Sequence, residues 1–511
     1  VSFFKKVTAA LGAVGLVVGL AACGGGDAAS SSNGEIKIGL SAGLDNLDPG
    51  RSTNGPDIIM MSQIYETLLD MDPKTRELVP KLAESYELID PKTWQFKLRE
   101  GIKFSNGEPF NAAAVKYSID RMLDPKTNSP SASQIASIET VEIVDDTTVN
   151  IHTKRPDPVL PKRMQPVGGS GRIFIVPPKL FSESTPEEVA SKPVGTGPYV
   201  LSNWQKGQSI ELSENPEYWG TKPAVKKATF TFIPESATRV NSLLSGEVDI
   251  IQRVPISDVD RVEQQDGVRV ERSEEGLVHT ILLDTRQAPF DNPKVREAFA
   301  KSIDVSGFVE GLLKGYGRPL GAPLSPGVKQ YDDTIKPYEY DPAAAKQLLI
   351  EAGYPNGLPL QTKTSDGRYE SDKQIYAYIN KQLDDAGFKI TPQTVEWGRL
   401  IQQINSKSAG PFYMVGWDFG EAEASKMNSF LMPGSIRVSE LSEYEKLAAA
   451  AGTEVDEARS TALWKEAQKV VHDNYVIGAM WQTEALWGES DKIDWKPAFG
   501  DNLDLDAIGL K

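Results

Sequence analysis

Few residues of this chain could do covalent or metal chemistry. The single cysteine, Cys23, rules out an intramolecular disulfide, and the three histidines, His152, His279 and His472, lie far apart. No His-Glu-x-x-His or Cys-x-x-Cys spacing gathers them into a metal site, so each histidine reads as structural or superficial. A serine hydrolase would need a Gly-x-Ser-x-Gly elbow and a cysteine hydrolase a placed Cys–His pair, and the sequence offers neither. Glycoside-cleaving carboxylate pairs stay open, because the 71 acidic residues have separations that a sequence does not give. From these residue types neither a cofactor nor a metal is expected. The Cys23 sulfur is the exception: it is a nucleophile able to take a covalent group.

Cys23 closes the run VSFFKKVTAALGAVGLVVGLAAC. Lys5 and Lys6 give a positive start, and the apolar stretch from Val7 to Ala22 is too short and too rich in small residues to span a bilayer comfortably. That layout is the one of an export signal. The end of the run, Leu20-Ala21-Ala22-Cys23, resembles the lipobox of bacterial lipoproteins, in which the cysteine takes a diacylglyceryl group and becomes the first residue. The resemblance implies a signal peptide over 1–22, lipid attachment at Cys23 and an extracytoplasmic, membrane-anchored product. Residues 23–34, rich in Gly, Ser and Ala, read as a flexible tether. No later apolar segment is long enough to cross a membrane.

The 511 residues suggest two to four domains, and 40% hydrophobic with 25% charged residues is a globular composition. A net charge of −16 argues against nucleic acid as a partner, since phosphate binding needs a concentrated basic face. The acidity reads as solubility.

Any site must be held by the elements that follow. EIKIGL at 35–40 alternates as a half-buried strand, and Ser41, Ala42 and Gly43 after it are small enough to let backbone groups meet a ligand. Asn54-Gly55-Pro56 opens a helix, Trp94, Phe96 and Leu98 alternate as a strand, and Asn111 caps a helix carrying Val115, Ile119 and Met122. Residues 141–151 read as a hairpin. Further strands are expected at 209–212 and 228–233, then helices after Asn292, Asp341 and Ser371, the last two closed by Gly353 and Gly387. A strand FYMVGW at 412–417, a helix near 455–473 and a strand YVIGAMWQ end the pattern. Alternating helices and strands in both halves predict mixed α/β lobes.

Several segments together resemble the extracytoplasmic solute-binding proteins of the dipeptide, oligopeptide and nickel class of ABC importers. Among them are PKLAESY at 80–86, TWQFKLREGIKFSNGEPFNAAAVKYSIDR at 93–121, PVGTGPYVL at 193–201 and NPEYWG at 215–220. RVNSLLSGEVDI at 239–250, FDNPKVREAFAKSID at 290–304 and YDPAAAKQLLIEAGYPNG at 340–357 follow in order. The resemblance implies a two-lobed periplasmic-binding-protein-like fold with an extra domain in the first lobe. Lobe I would be 35–68, 192–285 and 483–511, the extra domain 69–191 and lobe II 286–482. It also implies a monomer that binds a small solute, a peptide first of all, and delivers it to ABC permease domains.

Peptide-binding members of that family place a carboxylate after a Gly-Trp pair at a strand end, where it receives the ligand's ammonium. Here the pair is Gly416-Trp417, but the expected aspartate position is Gly420. The charge either moves to Asp418 or Glu421, or the ligand lacks an ammonium and is a metal chelate, an opine-like compound or an oligosaccharide. Trp397 and Trp417 stand where the family lines its cleft, and each could equally be a core tryptophan. Arg368, in SDGRYESD, is expected on the surface, with pairing to a ligand carboxylate the alternative.

Overall fold

A computed structural model describes residues 34–166, 172–365, 367–418, 424–433 and 436–511. Cys23, the signal segment and most of the tether lie outside them. The alternation of EIKIGL does make a strand, Glu35–Leu40, which pairs in parallel with Lys227–Phe232 and Ile250–Ile251. This strand is central to a nine-stranded sheet. Its order is Phe412–Asp418, Val268–Leu283, Ile477–Ser490, Ile250–Ile251, Glu35–Leu40, Lys227–Phe232, Ser209–Glu214 and Tyr199–Gln205, with Gly317–Pro319 attached to Ile477–Ser490.

Two members of the sheet are unusually long, Val268–Leu283 with 16 residues and Ile477–Ser490 with 14, and they pair antiparallel through most of their lengths. They run from one hydrophobic core into others. Ala485 and Trp487 lie with Ile36, Ile38 and Phe230 in the core under the parallel strands. Ile477 and Met480 lie with Tyr413, Val415 and Trp464 in another. A further core under helices Pro293–Lys301 and Asp372–Asp385 takes Trp481 and Leu486. Trp481 and Trp487 are buried to 1% and 0% exposure. Burying each indole contributes on the order of 3 kcal/mol, of which an indole N–H without a partner gives back about 1–3. Both Nε1 atoms lack a partner among the described residues, so packing, not polar pairing, fixes these rings.

A fourth core belongs to the antiparallel sheet Ala83–Asp90, Thr93–Leu98, Thr148–Thr153 and Ile138–Asp145, covered by helix Ala112–Leu123. Asn111 caps that helix as expected, its Oδ1 accepting from the amides of Ala113 and Ala114. Asp341 caps Pro342–Glu351 through the amide of Ala344, and Gly353 and Gly387 follow their helices at φ +96 and +106. Two features differ from expectation. The strand Val268–Leu283 was not foreseen, and the last strand continues past Gln482 to Ser490. No helix among the described residues is long and apolar enough to cross a membrane.

Candidate ligand-binding site

At the C-terminal end of Glu35–Leu40, Ser41 donates to the side-chain oxygen of Gln252 from its hydroxyl (2.9 Å) and its amide (3.3 Å). Ala42 is exposed and Gly43 half-buried. A methyl group on Gly43 would stand 3.5 Å from the Phe232 ring, an ordinary contact. The backbone beside them is held by buried Arg239. Its Nε donates to Gln252 O (2.7 Å), and its Nη atoms donate to Ile233 O (2.6 Å) and Arg253 O (3.0 Å). Arg253 adopts φ +56, a conformation uncommon for a side-chain-bearing residue, and donates from Nε to Asp501 Oδ2 at 2.8 Å. Burial raises the Asp501 carboxyl above its usual value, and Arg253 opposes the rise.

A second group forms around Tyr369, in the loop after strand Leu358–Thr364. Ser371 starts the next helix from a left-handed conformation (φ +55) without a side-chain cap. Asp372 does the capping work backwards, its carboxylate accepting from the amides of Gly367, Arg368 and Tyr369 at 2.8–3.2 Å. That fold of the loop presents Tyr369. Its hydroxyl accepts from the Gly416 amide (2.8 Å), and its ring meets Trp397 (5.8 Å, 79°) and His279 (4.8 Å, 89°) edge to face. Arg368 is exposed, as expected, but its guanidinium lies over both the Tyr369 ring (5.3 Å) and the Trp397 ring (5.1 Å). No carboxylate among the described residues lies within ion-pair distance of it. Gly367, Arg368, Thr394, Glu396 and Trp397 line a pocket of about 420 Å³.

Trp397 opens helix Trp397–Asn405, capped by Glu396, which accepts from the amides of Gly398 (2.8 Å) and Arg399 (2.9 Å). Those two bonds hold the Glu396 carboxyl below its usual value. Trp417 is placed differently. On a strand successive side chains alternate, so Gly416 points at Tyr369 while Trp417 points away and packs on Phe430 (5.4 Å). Its Nε1 is buried without a partner among the described residues. Asp418 ends the strand, and Glu421 lies outside the described residues. Trp397 therefore joins the Tyr369 group, while Gly43 meets Phe232 on the Arg253 side.

His279, read from sequence as structural, lies beneath Tyr369. It stacks on Trp481 (5.1 Å, 10°), and burial, with Arg368 nearby, pushes its pKa down to about 3. Tyr369 and Arg239 were not singled out in the sequence; a charged residue at a buried position of Ser236–Leu244, beside Val240 and Leu243, is the signal that could have marked Arg239. A larger hollow, about 590 Å³, lies by Arg99, Glu100 and Trp219. There Arg99 is already committed to Lys81 O (2.6 Å). Among the described residues no three His, Cys, Asp or Glu side chains converge to hold a metal.

A mixed α/β chain whose two longest strands run between hydrophobic cores matches the two-lobed periplasmic binding proteins. NikA of Brucella suis, solved with Fe(III)-EDTA, shares that fold at a TM-score of 0.84 over 93% of this chain and 100% of its own, with 22% identity. MoaA of A. tumefaciens R10, solved with mannopinic acid, aligns at 0.76 over 93% and 99%, with 27% identity. The glutathione-binding protein GsiB of Escherichia coli (strain K12) is 30% identical over 396 residues, 76% of each chain. Residues 77–435 match the family of bacterial extracellular solute-binding proteins, family 5 (middle region). The chain belongs to that family. Its role is the family's: extracytoplasmic substrate binding for ABC import.

Proposed function

We propose that this chain captures a small carboxylate-bearing solute, a short peptide first of all, between its lobes, with Arg368 receiving the carboxylate. The observation that carries the reading is the Arg368 guanidinium, laid across Tyr369 and Trp397 at the mouth of a pocket with no carboxylate of the described chain to neutralise it. A guanidinium oriented by stacking, with a hydrogen bond to the Tyr369 hydroxyl, still has donors to offer a planar anion. Glutathione and mannopinic acid, named for GsiB and MoaA, both carry carboxylates, which supports this class over a neutral oligosaccharide. Asp418 or Glu421 would take the ammonium of a peptide.

We assign lobes at 35–68 with 192–285 and 483–511, and at 286–482, with the insert at 69–191; a core drawn from Leu68 to Ile175 alone supports the insert. We further assign the chain as a non-enzymatic monomer held to the extracytoplasmic face of the cell membrane through lipid on Cys23. Intact-mass measurement of membrane-extracted protein would show the added lipid, and an unmodified Cys23 would sink that assignment.

Calorimetry with glutathione and a set of dipeptides tests the solute class. Arg368→Gln should weaken the best binder by about 2–3 kcal/mol, because the carboxylate loses a charged partner, and leave thermal stability unchanged. Equal affinity for wild type and variant would remove Arg368 from the site. Esterifying the solute's carboxylate should cost wild type as much, and cost the variant little more.

A further inference from the structure

The two long strands do not pair evenly. Glu274 faces Glu484 and Val278 faces Gln482, so Glu275, Gly276 and Leu277 stand opposite Thr483 alone. A bulge of this size bends a strand locally, and here it falls where Ile477–Ser490 passes from the core holding Met480 to the one holding Ala485, while the core that takes Trp481 and Leu486 continues past it. The bulge is pinned from across the sheet. Thr483 Oγ1 donates to Glu275 Oε2 at 2.6 Å, and the Gln482 side-chain amide donates to the Glu275 carbonyl and, at 2.9 Å, to Ser325 Oγ.

Thr483 has one hydroxyl proton, and Glu275 receives it. Its 3.3 Å contact with His279 Nε2 is therefore one in which the imidazole donates, which fixes the neutral ring with its proton on Nε2. The ring is 2% exposed and clasped between Trp481 and the edge of Tyr369, so it cannot turn to another partner without unpacking both. Tyr369 in turn binds the Gly416 amide and abuts Trp397. One chain of contacts, Glu275–Thr483–His279–Tyr369–Trp397, thus joins the bend to the pocket wall, although His279 and Thr483 are 204 residues apart in sequence.

We propose that His279 is a positioning residue that ties the aromatic wall of the pocket to the bend in the long strands, so that the wall's geometry and the angle between the lobes change together. A solute that favours one arrangement of Tyr369 and Trp397 then favours one lobe angle, and by linkage the reverse holds. The inference rests on reading the Tyr369–Trp397 pocket as the ligand site, so its test uses no ligand.

Thr483→Val removes the hydroxyl at constant shape and touches neither Tyr369 nor Gly416. Hydrogen exchange of the full chain, read by mass spectrometry on the peptide spanning 412–418, should rise about tenfold in Thr483→Val, since the Gly416 amide loses its well-placed acceptor. Thr483→Ser, which keeps the donor, should exchange like wild type, and His279→Phe, which keeps the stack, should behave like Thr483→Val. The strand Glu35–Leu40 should be unaffected in all three. Wild-type exchange at 412–418 in Thr483→Val would overturn the proposal. So would an equal rise in Thr483→Ser, or a rise in every strand of the sheet, which marks simple loosening. Failure here would leave the carboxylate result with Arg368 standing, and the converse holds as well.

Discussion

The wall around Arg253 and the wall around Arg368 differ in how much of their bonding is already satisfied. At the first, a buried guanidinium is committed to the carbonyls of Ile233, Gln252 and Arg253, Ser41 is bound to Gln252, and Arg253 faces Asp501. At the second, a guanidinium is oriented by two rings and has no counter-charge among the described residues. The first wall is a set surface, and in the proposed reading the second is completed by a solute's carboxylate. If Arg368 receives a solute as proposed, rigidity and recognition are divided between the two sides, and the recognising arginine is spared from holding the fold together.

The comparison breaks most visibly at Arg239. Arg239→Met keeps the stem but strands several buried carbonyls, and each unmet group costs about 1–3 kcal/mol. Urea denaturation should show a loss of about 3–4 kcal/mol; a loss below about 1 would mean that the first wall is not pinned as described.

Next in size is an acid limb from His279. Its pKa is about 3 in the folded chain, below the ordinary 6.5, so the unfolded chain binds more protons between those values. The stabilisation from this group is present above about pH 6.5 and is lost as pH falls towards 3. Between pH 7 and pH 5 the loss is about 2 kcal/mol. His279→Gln should flatten that part of the stability–pH curve, whatever its effect at pH 7; an unchanged slope would contradict a neutral, buried ring.

The smallest effects come from two glycines, one for each wall. A methyl group on Gly416 would stand 3.0 Å from both Tyr369 and Leu277, so Gly416→Ala should displace the tyrosine and cost about 1 kcal/mol. At Gly43 the nearest atom is 3.5 Å away, and Gly43→Ala should stay within about 0.5 kcal/mol of wild type. Thermal melts of the pair would reverse the assignment of the walls if Gly43→Ala proved the more damaging.

Local chemistry made much of the fold legible from residue types alone. Asn111 and Asp341 cap their helices through the amides that capping requires, and Gly353 and Gly387 take the left-handed turns that end theirs. The long strand Val268–Leu283 has no legible alternation because its first half, VRVERSEEG, carries charges at half-buried Arg269, Glu271 and Glu275 as well as at exposed Arg272 and Glu274. The last strand reads as ending at Gln482 because Thr483 and Glu484 interrupt the apolar run, although both belong to the pinned bend. At the site, Trp397 was legible as a broad apolar surface. Tyr369 was not: it is a lone aromatic in a polar loop, placed by Asp372 three residues on and by Gly416 across the fold. Pairings such as His279 with Thr483 are set by tertiary structure and leave no periodic trace.

Because hydrogen bonding continues through eight strands from Phe412–Asp418 to Tyr199–Gln205, any parting of the lobes would flex one ladder and not unzip two. A receptor that tore a sheet to open would bare rows of unpaired amides and carbonyls with every cycle, each row a template for another chain. This one can wait empty and crowded beside its neighbours with its central backbone groups still paired. If the lobes move as proposed, the long strands serve colloidal safety as well as motion.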